Sequence, residues 1–100
     1  MIPPAAIRLS PSDNVVVCCR SIEAGESFVV EGQTLSVTQA VPIGHKLALF
    51  ALNPGDKVLK YGMPIGSMTA AADPGGWVHM HNMKSDYMPA HLRDAAGDQA

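Results

Sequence analysis

One hundred residues, with 47% hydrophobic, 16% charged and 5% aromatic side chains, make one small domain whose core must come from Val, Ile, Leu, Ala and Met. A formal net charge of −2 and a pI near 6.0, with the basic residues scattered, supply no long-range attraction for nucleic acid or for an anionic membrane. No apolar run approaches the roughly 20 residues of a membrane helix, and Met1-Ile2-Pro3-Pro4-Ala5-Ala6-Ile7-Arg8 lacks the basic start and apolar stretch of a signal peptide, so a cytoplasmic protein is expected.

Residues 1–6 read as a flexible lead, because the paired prolines lack amide donors, and the domain proper is expected over 7–83. After the turn signal Ser10-Pro11-Ser12-Asp13-Asn14, the run Val15-Val16-Val17-Cys18-Cys19 is apolar and largely β-branched, which predicts a central strand covered on both faces. Cys18 and Cys19 would then face opposite sides. They read as reduced, structural thiols, with no basic residue nearby except Arg20 to suggest a nucleophile.

A weak repeat follows. Ile22-Glu23-Ala24-Gly25-Glu26-Ser27-Phe28, Leu52-Asn53-Pro54-Gly55-Asp56-Lys57-Val58 and Ala72-Asp73-Pro74-Gly75-Gly76-Trp77-Val78 each run from an apolar residue through an Ala-Gly or Pro-Gly turn into an apolar segment. Several short strands are implied. Val29-Val30, Glu31-Gly32-Gln33 and Thr34-Leu35-Ser36-Val37 read as a hairpin with a glycine-containing loop, and the alternation in Lys46–Leu52 favours a strand over a short helix. Val58–Gly66 carries glycines and a proline that suit bent or bulged strands; Tyr61 there reads as half-buried beside a bulge glycine.

The most informative stretch is Gly75-Gly76-Trp77-Val78-His79-Met80-His81-Asn82. Read as a strand, it sends His79 and His81 to one face and Val78 and Met80 to the other, a titratable face bordering a cleft. Two imidazoles do not close a metal site, since zinc takes three or four protein ligands, so a third ligand must come from elsewhere. Trp77 reads equally as an aromatic closing the small core or as an interface residue. Residues 84–100 read as a tail, mobile or docked on a partner: Met83–Arg93 has no clear period, His91 has no pattern around it, and Asp94–Ala100 is polar and small.

Three blocks carry a resemblance: Pro42-Ile43-Gly44-His45-Lys46-Leu47-Ala48-Leu49, then Pro54–Gly66, then Val78-His79-Met80-His81-Asn82-Met83-Lys84-Ser85-Asp86-Tyr87. Their order and spacing resemble the SAF-type N-terminal domain of the altronate dehydratase family, which includes altronate and galactarate dehydratases and sulfolactate sulfo-lyases. The resemblance implies a mostly β, β-clip fold of bent hairpins. In some members this module precedes a large catalytic domain and in others it is a separate small subunit; the chain ends soon after the histidines, so the separate form is expected, with a large catalytic subunit as partner. The chemistry implied is elimination of water or sulfite from a small hydroxy acid, which needs a base beside a carboxylate and an acid or metal at the leaving group. A divalent metal, iron or manganese, goes with the dehydratases and would be held jointly with the large subunit.

On this reading His45, His79 and His81 are the candidate catalytic residues, with His79 and His81 also the candidate metal ligands. Lys46, Lys60 and Asn82 are the candidate substrate-binding residues. His45 follows a glycine that lets backbone approach an anion, although capping a turn would explain it as well. Most lysines are solvated surface residues, the plain alternative for Lys46 and Lys60. Phe50-Ala51-Leu52 and Gly76-Trp77 depart from the family pattern, which puts transfer of substrate identity in doubt. The competing reading is a non-catalytic module that binds carbohydrate or assembles the large subunit, since fold alone does not fix function. In isolation the small apolar domain is also a candidate to pair with itself.

Overall fold

A computed structural model of the chain describes residues 4–86. Among them there are nine strands and no helix, hence none long and apolar enough to cross a membrane. The strands are β1 (Ala6–Ile7), β2 (Val15–Cys18), β3 (Ser27–Val30), β4 (Gln33–Ser36), β5 (Lys46–Ala48), β6 (Lys57–Lys60), β7 (Met63–Met68), β8 (Trp77–Val78) and β9 (Met83–Lys84). The mostly β architecture of short hairpins expected from the sequence is what forms. The part of the tail beyond Asp86, His91 included, lies outside the described residues.

A central antiparallel sheet has the order β1-β2-β5-β8, so the valine-rich β2 is interior as its composition requires. Side chains alternate across this sheet. Ala6, Val16, Cys18 and Leu47 enter one apolar cluster with Ile22, Val30, Leu35 and Val41; Val15, Ala48 and Val78 enter a second with Leu52, Val58, Met68 and Ala72. Each fully buried Val or Leu of this double core contributes about 1.5–3 kcal/mol through removal from water. Both faces are covered.

The clusters are built by two copies of one backbone course, residues 22–48 and 52–78. Each begins with an isolated bridge, Ile22↔Val41 or Leu52↔Ala72. Each then turns at a positive-φ glycine, Gly25 or Gly55, and makes a hairpin, β3–β4 or β6–β7. A second turn at Gly44 or Gly75 leads into β5 or β8. The turn pattern therefore occurs four times, and the copy Val41-Pro42-Ile43-Gly44 lay hidden in the sequence because Ile stands where Ala or Pro stands elsewhere. All four close with the amide–carbonyl bond of a β-turn: Glu26 to Glu23, His45 to Pro42, Asp56 to Asn53 and Gly76 to Asp73.

The hairpin loops Glu31-Gly32 and Tyr61-Gly62 have positive φ at both residues, the type I′ geometry that matches strand twist. Tyr61 is accordingly 68% exposed in a loop and not half-buried, and Gly62 belongs to that loop. The bulge lies nearby, between Val58 and Leu59 on one strand and Gly66 and Pro64 on the other. It lengthens the second hairpin by one residue, with Pro64 beside the irregularity.

Candidate functional site

Two of the four turns deliver the candidate side chains. After Gly44 (φ 87°) the backbone of His45 is held on β2: Gly44 N–H donates to the Cys18 carbonyl at 2.8 Å, and the His45 carbonyl accepts from Cys18 N–H at 2.9 Å. After Gly75 (φ 90°) the chain enters β8, which pairs with β5 in the register Lys46↔Val78 and Leu47↔Trp77. His45 and Trp77 are thereby neighbours at one end of the central sheet.

The chain does not continue as a strand through the histidines. β8 stops at Val78, and His79-Met80-His81-Asn82 is a turn closed by Asn82 N–H to the His79 carbonyl at 3.0 Å. Asn82 holds it with its side chain as well: Oδ1 accepts from His79 N–H at 3.0 Å and Nδ2 donates to the Trp77 carbonyl at 2.9 Å. An asparagine that bonds backbone in this way is a strong turn former, and it outcompetes the strand that alternation predicted. Asn82 is 5% exposed, so its amide is committed to the turn.

The two imidazoles nevertheless meet, around Trp77. The His79 ring stacks on the indole (centroids 5.6 Å, 12° between planes), and His81 lies tilted at 5.7 Å. His45 sits edge-on at 5.3 Å from Trp77 and 4.9 Å from His79, and the indole Nε1–H donates to His45 Nδ1 at 3.2 Å. Trp77 is thus the hub of the histidine cluster. Sequence reading placed it in the core or at an interface, since the contact depends on the β5–β8 register; partly buried, it also packs on the first core cluster.

Cationic groups lie close to His79. Burial first, then the electrostatic influence of His45, Lys46 and His81, holds the His79 imidazole below the usual histidine range. The Lys46 amine is likewise pushed down by burial first and by Lys60 second. Among the described residues the ion pairs are Arg8–Glu31, Arg20–Glu26 and Lys57–Asp86, so Lys46 and Lys60 are offset by no carboxylate there. Lys60 touches the site through its field on Lys46. Two exposed apolar side chains flank the histidines in sequence, Ile43 (61% exposed) and Met80 (80%).

Alongside Trp77 and His81 runs an open groove of about 240 Å³ whose walls include Ser36, Thr38, Gln39 and Asp73. Nothing local in Ser36–Gln39 signals this, because the groove exists only once β4 lies beside the Gly75 turn. A side chain on Gly75 would put its Cβ 2.5–2.6 Å from Ser36 backbone atoms, so glycine is required there for the approach.

No three His, Cys, Asp or Glu side chains converge as a metal-binding group among the described residues. His45 already uses Nδ1 on the indole. The described residues therefore do not by themselves make a metal centre.

A buried acidic residue, Asp13 (1% exposed), is structural. Its carboxylate accepts from the amides of Ser10, Tyr61 and Gly62 at 2.7–3.1 Å, which seats the β6–β7 loop on the start of β2. Asp86 likewise accepts from Lys57 and Ser67, and these bonds hold its carboxyl below the usual range.

With this geometry in place, comparison with known proteins is informative. The family described as Altronate/galactarate dehydratase SAF domain matches residues 4–86. Altronate dehydratase of Bacillus subtilis (strain 168) is 34% identical over 86 residues, 86% of this chain but 17% of that enzyme. The (2R)-sulfolactate sulfo-lyase subunit alpha of Paracoccus pantotrophus is 51% identical over 51 residues, 51% of this chain and 76% of that subunit. The subunit of the same name from Chromohalobacter salexigens is 37% identical over 76 residues, 70% of this chain and 81% of that subunit. The chain thus spans about a sixth of the length of the altronate dehydratase and most of the length of the two sulfo-lyase subunits.

Proposed function

The chain belongs to the SAF-domain family of altronate and galactarate dehydratases, and on that premise we propose that it is the small subunit of a sugar-acid dehydratase or related hydroxy-acid lyase. In this reading it lends His45, His79 and His81 to an active site completed by a large catalytic subunit. The observation that carries the proposal is the cluster of three imidazoles around Trp77, with Lys46 and Lys60 unpaired among the described residues. It is rich in proton-transfer groups, suited to an anion and flanked in sequence by the exposed Ile43 and Met80, which a partner would cover.

The chemistry asked of the site is removal of a proton from the carbon beside a carboxylate, loss of water or sulfite from the next carbon, and rearrangement of the resulting enol to a keto acid. Lys46 and Lys60 are the groups to hold the substrate carboxylate. His79, whose charged form is disfavoured by burial first and by its neighbours second, is available to accept the proton. A divalent iron or manganese ion bound here would draw on His79 and His81 and take its remaining ligands from the large subunit; His79 would then spend its one lone pair on the metal, and proton removal would fall to another group. The two free thiols suit a cytoplasmic setting.

The test is co-expression with a large dehydratase-like subunit and a screen of sugar acids and sulfolactate, with and without chelator. Replacing His79 and His81 together with Ala is expected to lower turnover about 100-fold or more, with the complex still assembled. Turnover by this chain alone at the rate of the complex would refute the shared site. Full activity of the double variant in an intact complex would favour the assembly module.

A further inference from the structure

We infer that Trp77 is a positioning residue that fixes His45 in one tautomer, with its proton on Nε2, and so makes His45 a hydrogen-bond donor to a substrate oxygen. The argument starts from the donor inventory. An indole has one polar group, Nε1–H, which only donates; the His45 Nδ1 it meets at 3.2 Å must therefore present a lone pair. A neutral imidazole has one proton to place, and with Nδ1 accepting, it sits on Nε2.

Orientation is fixed from three sides. His79 stacks flat on the indole, Leu47 pairs with Trp77 across β5–β8, and the His45 backbone is bonded to Cys18 through its carbonyl. The donor is thus preorganised before anything binds, the arrangement that stabilises developing negative charge at least cost in rearrangement. The fold does not demand a tryptophan for this turn. At the matching place in the first copy, two residues beyond Gly44, the same course carries Lys46.

The donor role rests on the shared-site reading, and it divides labour within it: His45 binds an oxygen of the hydroxy acid, while proton removal falls to another imidazole. Nitrogen NMR of the labelled full chain tests the tautomer without a partner. The expected spectrum has His45 protonated at Nε2 and bare at Nδ1. In His45→Ala the Trp77 indole N–H should exchange with solvent about three- to tenfold faster, and in Trp77→Phe the Nδ1 resonance of His45 should move to the position of a solvent-bonded nitrogen.

A proton on Nδ1 in the native chain, or unchanged indole exchange in His45→Ala, would overturn the positioning role even if Trp77→Phe failed to fold. The reconstituted complex reads the second half of the inference. Trp77→Phe should reduce kcat/KM about tenfold; an intact tautomer effect with undiminished kcat/KM would sink the donor role while leaving the shared site standing.

Discussion

Residues 22–48 and 52–78 share one backbone course and use it for different ends. In the first copy Gly44 turns the chain in open space, and the next two residues are His45 and Lys46; in the second, Gly75 turns against the backbone of Ser36, and the next two are Gly76 and Trp77. The first hairpin loop meets Arg8 through an exposed Glu31 bond, whereas the second is seated on buried Asp13. The two copies place complementary halves of the histidine cluster on adjacent strands, with the imidazole acceptor from one and the indole donor from the other. The repeated course supplies the scaffold, and the site comes from positions where the two copies differ.

Breaking the same element in both copies measures that divergence, and the glycines should show it most strongly. Both have positive φ, so Ala at either costs about 1–2 kcal/mol from backbone conformation alone. At Gly75 the new Cβ also meets backbone that cannot step aside, which brings Gly75→Ala to about 2–5 kcal/mol, against about 1–2 for Gly44→Ala. Denaturant midpoints compare them, and equal losses would show that the contact with β4 does not constrain the second copy. The loop anchors come next. Asp13→Ala strips three amides of their acceptor and should cost about 2–3 kcal/mol, while Glu31→Gln removes an exposed pair worth under about 1 kcal/mol. A Glu31 effect as large as that of Asp13 would erase the distinction between the hairpins.

What the sequence disclosed follows from range. The central placement of β2, the Val29–Val37 hairpin and the bend in Val58–Gly66 were legible because valine runs, glycines and prolines act within a few residues. Family membership was legible from short blocks such as Val78-His79-Met80-His81-Asn82. The strand assigned to those same residues failed because Asn82 bonds back to Trp77 and His79, a local signal that alternation masked. The Trp77–His45 bond and the Asp13 clamp were not legible at all, since each joins segments that only the finished sheet brings together.

The finest comparison is between Cys18 and Ala48, whose carbonyls accept from Gly44 and Gly75 respectively and which therefore occupy matching places. Cys18→Ala writes the second copy's residue into the first, at a cost of about 1 kcal/mol for the lost sulfur at neutral pH. Burial, with a smaller push from Cys19 against the pull of Arg20, raises the Cys18 thiol from 9.0 to about 11. Between those values the folded chain keeps a proton that the unfolded chain has released, so this contribution to stability is full below pH 9.0 and is lost as pH rises toward about 11. Ala48 carries no such proton, and neither does the variant. Denaturant unfolding of native chain and variant across that window should therefore show the native chain losing its advantage as pH rises, the gap closing and then changing sign. A gap that stays constant would mean that burial does not hold the Cys18 thiol protonated, so that this face of the central sheet is open to water where the first copy carries sulfur.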